Sequence, residues 1–240
     1  MIVVLTGFYN AEDYILRSLT SIKNQNYKEF TCYITSDHST DNSVPLIKDF
    51  IKDDDRFILV EDADKKVYQT GNFDRVIRSN PDIADSDILV EVDGDDYLPD
   101  PGTLDRINNT YSDTDVWIAN GSFIYSNGAP GFARRQESFD NLRQGRFTAS
   151  HIRTWRAFLW RAIKEEDLRD ENGEYWQWSG DVCFMFPMLE MAGEKHYKFM
   201  DSINYVYNET NPINEHKVDI FMVNDHAGRI RNKPPYKRID

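Results

Sequence analysis

The chain has 240 residues, 40% of them hydrophobic and 29% charged, the proportions of a folded water-soluble protein long enough to bury a sizeable core. It carries 28 basic against 41 acidic residues, a formal charge of −13, which disfavours a surface built for nucleic acid or anionic lipid, because phosphate is held by Lys and Arg. The two cysteines, Cys32 and Cys183, form neither a disulfide framework nor a zinc site and read as small buried thiols within apolar runs. The opening MIVVLTGFYN lacks the basic segment of a signal peptide, and no stretch approaches the roughly 18 apolar residues of a membrane span, so a soluble cytoplasmic protein is expected. The closing HAGRIRNKPPYKRID is locally basic.

In chain order, IVVLT (2–6) is a continuous β-branched run suited to a strand covered on both faces. Residues 11–24 place Tyr14, Ile15, Leu19 and Ile22 at helical spacing, so a helix follows. FTCYIT (30–35) is a second strand, and SVPLIKDFIK (43–52) a second helix with Asn42 or Ser43 as cap and Pro45 in its first turn. FILV (57–60) is a third strand, 72–79 a short helix stopped before Pro81, and ILVEV (88–92) a fourth strand. This alternation predicts an α/β fold with a mostly parallel, doubly wound sheet, whose ligands bind beyond the C-terminal ends of the strands.

After residue 126 the alternation breaks. GAPGFARRQ reads as a loop, HIRTWRAFLWRAI (151–163) as an aromatic-rich helix, and ENGEYWQWSGD (171–181) as a polar-aromatic loop. VCFMFPMLEMAG reads as a buried helix closed by Gly193, INYVYN as a short strand and VDIFMVNDHAGRIR as a terminal helix. No repeat or flexible linker divides the chain, so residues 1–126 and 127–240 are expected to be two parts of a single domain.

The fourth strand runs directly into DGDD, three carboxylates within four residues: Asp93, Asp95 and Asp96. A solvated Asp-Gly turn is the plain interpretation. Against it, Gly94 permits a tight bend that lets neighbouring carboxylates point one way, and such crowding is costly unless a hard divalent cation neutralises it. Mg²⁺ or Mn²⁺ held by so few carboxylates completes its coordination with water and substrate phosphates. No GxxxxGK[ST] and no GxGxxG accompanies the first strand, which argues against a P-loop or a dinucleotide site.

Three segments in order, FYNAEDYILRSLTSIKNQNYKEF, SDHSTDNS and VDGDDYLPD, resemble the opening strand and helix, the Asp-Asp-x-Ser-x-Asp signature and the DxD signature of inverting GT-A-fold glycosyltransferases of the family 2 type. The resemblance spans residues 2–125 and implies a nucleotide-sugar-binding first half and a helical, loop-rich, acceptor-binding second half. It implies that Gly7, Phe8 and Tyr9 adjoin the donor, with Tyr9 packed on the base, and that Asp37 accepts the N3–H of uracil or thymine. Ser36 departs from the family's first acid at that signature. Gly71 and Asn72 resemble a Gly-x-x-x-Asn region beside the donor, or else cap a helix. Asp93 and Gly94 are implied at the ribose and diphosphate, Asp93 and Asp95 at the metal, and Asp96 as their support.

An inverting transfer needs a carboxylate to deprotonate the acceptor hydroxyl. The resemblance implies that this base comes from an acidic loop ahead of a helix in the second half, which Asp181 fits, with helix capping as its alternative and Glu190 in reserve. By the same resemblance His216 or His226 adds to the metal, and Arg229, Arg231 and Lys233 clamp the diphosphate. His151, Arg153, Trp176 and Trp178 are acceptor-binding candidates, whereas Trp155, Phe158 and Leu159 share helical spacing and read as core. The expectation is therefore a metal-dependent transferase taking a sugar from a nucleotide-sugar donor, UDP favoured, to a hydroxyl of a carbohydrate or other acceptor. The alternatives are an inactive nucleotide-sugar-binding module, favoured by Ser36, and a nucleotidyltransferase, for which GFYNAED lacks a basic phosphate loop.

Overall fold

The computed structural model describes residues 1–239. Seven strands form one sheet: β1 (Ile2–Phe8), β2 (Phe30–Ser36), β3 (Phe57–Val60), β4 (Ile88–Glu91), β5 (Ile118–Tyr125), β6 (Arg153–Arg156) and β7 (Tyr197–Tyr207), in the order β3-β2-β1-β4-β6-β5-β7. Only β6 runs against its neighbours, pairing antiparallel with both β4 and β5. The mostly parallel doubly wound sheet expected from the sequence is thus present.

The continuous apolar runs are explained by burial on both sides. In β1, Val3 and Leu5 enter the core that also holds Phe73, Trp155 and Trp160, while Ile2 and Val4 enter the opposite core with Ile15, Leu19 and Ile22. Helix α1 (Ile15–Lys23) covers that second face through Ile15, Ser18, Leu19 and Ile22, which form one stripe at 3.6-residue periodicity. Helices α2 (Ser43–Ile51), α3 (Tyr68–Ser79) and α4 (Thr103–Thr110) follow β2, β3 and β4. Both cysteines are buried and unbonded to one another.

Residues 151–163 depart from the expected helix: β6 comes first, and only Ala157–Arg161 is helical (α5). Trp155 and Leu159 do enter one core, but from a strand and a helix, because Arg153–Arg156 finds backbone partners on two flanking strands. Tertiary pairing therefore overrides a local preference that was weak to begin with. The strand expected at INYVYN is the C-terminal half of the longer β7. Helix α6 (Gly180–Ala192) ends at Gly193, whose φ of 62° explains the glycine. Short α7 (Glu215–Val218) precedes α8 (Ile220–Arg231), which Asp219 caps by accepting hydrogen bonds from the N–H groups of Phe221 and Met222.

The connections place the crevice. From β1 the chain steps outward to β2 and β3, then α3 carries it back to β4 on the other side of β1. The crossovers diverge between β1 and β4, and the sheet opens at the C-terminal ends of those two strands. The second half of the chain contributes β6 and β7 to the same sheet. No helix among the described residues is long and apolar enough to cross a membrane.

Candidate active site

A cleft of about 700 Å³ lies at this switch point. Its floor is the loop after β4, docked on β1: the Gly94 N–H donates to the Gly7 carbonyl at 2.9 Å, and a Cβ at Gly94 would stand 2.6 Å from Cβ of Phe8. Glycine is needed here for close approach, not for an unusual φ. The Asp96 N–H donates back to the Asp93 carbonyl at 3.0 Å and closes the bend.

The three carboxylates are held from several elements, and Tyr205 is shared by two of them. Asp96, 1% exposed, accepts from the Tyr205 hydroxyl at 2.7 Å and from the Asn208 N–H at 2.7 Å. Asp93 accepts from Nε2 of Gln69, and its own N–H donates to the Tyr205 hydroxyl at 3.1 Å. Asp95 accepts from Nδ2 of Asn211 at 2.7 Å. Burial pushes the Asp96 carboxyl well above the usual carboxylate range, and Asp95 and Asp93 push it further. Burial does the same to Asp93, with Glu91 adding to it. The cluster has more negative charge than its protein partners neutralise.

A divalent cation fits this deficit. One ligand atom each from Asp93, Asp96 and His151 lies within 4.8 Å of the others. The His151 ring is stacked on Tyr205 at 4.4 Å, and its buried Nδ1 has no hydrogen-bond partner among the described residues. Burial, then Arg153 and His216, hold this imidazole well below its ordinary pKa, in the neutral form that ligates metals. The grouping whose donor atoms converge is thus Asp93, Asp96 and His151, while Asp95 and His216 lie on the wall of the same cleft.

On the donor side, Gly7, Phe8, Tyr9, Asp37 and Asn72 line the cleft with Asp93, and Gly94 supports them from beneath. Tyr9 is 40% exposed, with Nζ of Lys66 lying 3.6 Å from the centre of its ring. Oδ1 of Asp37 accepts from the N–H groups of Val67 and Tyr68, both at 3.0 Å, at the start of α3. Asn72 donates to Oδ1 of Asp37 at 3.4 Å. Ser36, where the family signature has an acid, closes the turn after β2 by accepting from the Ser39 N–H at 3.2 Å.

Across the cleft, α6 opens with Ser179 at a φ of 58°, and Asp181 sits in its first turn. Ser179 is secured from both sides: its N–H donates to Glu215 at 3.1 Å, and its hydroxyl donates to the Val223 carbonyl at 2.9 Å. Oδ2 of Asp181 accepts from Nη1 of Arg153 at 3.0 Å, and Oδ1 from the Val182 N–H at 2.8 Å. The N-cap residue Ser179 forms no side-chain bond to the helix start, so the Asp181 carboxylate is the side chain that accepts from a first-turn N–H. The Asp181 side chain is 30% exposed and lines the cleft.

Other expected residues go elsewhere. Trp178 lines the cleft, but Trp176 is 1% exposed and lies in the core, edge-on to His226 at 5.1 Å. Glu190 is paired with Arg143 in a buried, two-pronged ion pair. Arg229 pairs with Glu171 and Asp225. Arg231 donates to the carbonyls of Arg143 and Gly145, and Lys233 to those of Glu166, Asp167 and Arg169. None of these basic side chains lines the cleft. Arg153 lines the cleft but is only 4% exposed, with its guanidinium paired to Glu91 and Asp181. Gln69, Lys66, Asn211, Tyr205 and Glu91 were not anticipated. Only Glu91 carried a signal: a carboxylate inside the apolar run ILVEV must be buried and therefore needs a cationic partner.

A doubly wound sheet with a carboxylate loop at its switch point, faced by a separately held aspartate, places the chain among the GT-A-fold glycosyltransferases. Residues 3–169 match glycosyl transferase family 2, and the chain belongs to that family. A 64-residue stretch, 27% of the chain, is 41% identical to 9% of a teichoic acid poly(glycerol phosphate) polymerase of Staphylococcus epidermidis. Among solved structures, S. aureus TarS 1–349 in complex with UDP-GlcNAc superposes with a TM-score of 0.67 at 15% identity, over 90% of this chain and 60% of that one. The mannosyltransferase PcManGT of Pyrobaculum calidifontis, in complex with GDP-Man and Mn²⁺, superposes with a TM-score of 0.61 at 16% identity, over 98% and 65%. The chain therefore spans under two thirds of each of these proteins.

Proposed function

We propose that the chain is a metal-dependent glycosyltransferase that moves a sugar from a nucleotide-sugar donor, UDP-linked in preference, to an acceptor hydroxyl with inversion at the anomeric carbon. The observation that carries this reading is the pairing, across one cleft, of the Asp93–Asp96 loop with the Arg153-held carboxylate of Asp181.

Tyr9 presents an aromatic face to the base once the Lys66 ammonium moves off it. Asp37, with Oδ1 tied to the start of α3, turns its carboxylate to the imide N–H of the base, a contact that uracil and thymine offer and cytosine does not. Asp93, Asp96 and His151, with Asp95 and His216 alongside, are the side chains that would hold Mn²⁺ or Mg²⁺. The cation supplies positive charge against the departing diphosphate. Trp178 offers the acceptor an aromatic wall. Asp181 accepts the hydroxyl proton as the acceptor oxygen attacks the face of the sugar opposite the diphosphate, which inverts the configuration.

The test is transfer and donor hydrolysis across UDP-, dTDP- and GDP-sugars with Mn²⁺, then with EDTA, with the product anomer read by NMR. Asp181→Asn is expected to lower transfer by about 10²–10⁴-fold while leaving nucleotide affinity unchanged, as for loss of a general base. Full turnover in EDTA, or in Asp181→Asn, refutes the corresponding part of the reading.

A further inference from the structure

We propose that Arg153 is a positioning residue for Asp181, and that Glu91 acts through Arg153, so that one buried guanidinium couples the acceptor base to the strand carrying the donor carboxylates. This inference rests on the proposed role of Asp181.

The geometry comes from the one strand that breaks the parallel order. Because β6 runs antiparallel to β4, with Val90 opposite Thr154, continuing that register by one residue sets Glu91 against Arg153. Nε and Nη2 of Arg153 donate to the two oxygens of Glu91, the Nη2 bond at 2.9 Å. That leaves Nη1 for Oδ2 of Asp181, at 3.0 Å. Glu91 is 0% exposed and Arg153 4%, so water offers neither an alternative partner. Burial raises the Glu91 carboxyl above its ordinary pKa, while Arg153 opposes that rise.

Only a planar fork serves both carboxylates at once. A lysine ammonium in this position is a point charge and cannot engage Glu91 with two bonds while extending a third donor in a fixed direction. Glu91 lies two residues before Asp93 on the same chain segment. The separation of the base from the donor carboxylates is thus set by a strand pair and a guanidinium, not by loop conformation alone. An error of about 1 Å in such a placement costs on the order of 100-fold in rate.

The experiment uses Arg153→Lys and Glu91→Gln in the full chain, with melting curves to confirm folding. Arg153→Lys is expected to keep UDP–Mn²⁺ affinity within about twofold by calorimetry and the donor KM near its starting value. Its kcat for transfer should fall about 10–100-fold. Glu91→Gln should shift the same parameter in the same direction. Millimolar guanidinium should restore part of the turnover of Arg153→Ala, which a purely structural role would not allow. Unchanged kcat in Arg153→Lys overturns the proposal, as does an equal loss of donor binding and kcat without guanidinium rescue. A crystal structure of Arg153→Lys reads the claim without turnover: Asp181 should leave its present position, and an unmoved Asp181 refutes the clamp. If the unaltered chain transfers no sugar, the proposed function fails, and this structural arm still decides the clamp.

Discussion

Gly94→Ala tests the docking of the carboxylate loop on β1. The added Cβ would lie 2.6 Å from Cβ of Phe8 and 3.1 Å from the Gly7 carbonyl oxygen, where ordinary contact begins at 3.4 Å. Gly94 does not have a positive φ, so alanine meets a packing problem and not backbone strain. Relief requires the loop to move off β1 by nearly the difference, which stretches the 2.9 Å bond from the Gly94 N–H to Gly7. Overpacking of this kind costs about 1–3 kcal/mol, and a weakened buried hydrogen bond adds roughly 1 kcal/mol. For a chain of this length each kcal/mol shifts the melting temperature by about 2–4 °C, so a fall of roughly 4–16 °C is expected. Asp93 moves with the loop, and UDP–Mn²⁺ affinity should drop by at least about tenfold, which corresponds to 1.4 kcal/mol. Scanning calorimetry and isothermal titration read the two effects. A variant that melts within about 1 °C of the parent and binds UDP–Mn²⁺ equally well refutes the account of the loop.

Three more outcomes follow from the same structure. Saturating Mn²⁺ at about 100 times its Kd should stabilise the protein by about 2.7 kcal/mol in thermal melts, and Asp93→Asn should abolish most of that gain. Glu190→Gln leaves Arg143 buried without its counter-charge, an expected loss of about 3–5 kcal/mol by denaturant titration, with UDP affinity unchanged because neither residue lines the cleft. Asp54 is held below its ordinary pKa first by the Arg56 hydrogen bond, with its side chain 11% exposed. A depressed folded pKa contributes stability above the unfolded value of 3.8 and loses it as pH falls through the folded one. Asp54→Asn should therefore cost on the order of 1 kcal/mol at neutral pH, and the difference from the parent should close as the pH falls below 3.8 and through the folded value.

The first, second and fourth strands were legible in the sequence because each is a β-branched or aromatic run buried almost throughout, and burial of that kind leaves a local imprint; the third, FILV at the sheet edge, shares the apolar run although Ile58 is 40% exposed. The Asp93–Asp96 loop was legible for a related reason: crowded carboxylates at a strand end are anomalous wherever the chain goes. Asp181 stood out in the sequence by its place ahead of an apolar helix, whereas Glu91 was not anticipated, although its charge within ILVEV was a signal. Other features depend on partners far along the chain. Residues 153–156 become a strand only because β4 and β5 accept them, and that antiparallel register turns Arg153 inward to Glu91 and Asp181. Trp176 and Trp178 lie two residues apart in one polar loop, yet packing buries the first and opens the second to the cleft. Tyr205, Asn208 and Asn211 reach the carboxylate loop from more than a hundred residues away, and His151 joins Asp93 and Asp96 across the sheet. Periodicity and composition report which residues leave water, because that is a property of each segment. Which buried groups meet is decided by strand register and crossover direction, and these exist only once the whole sheet has formed.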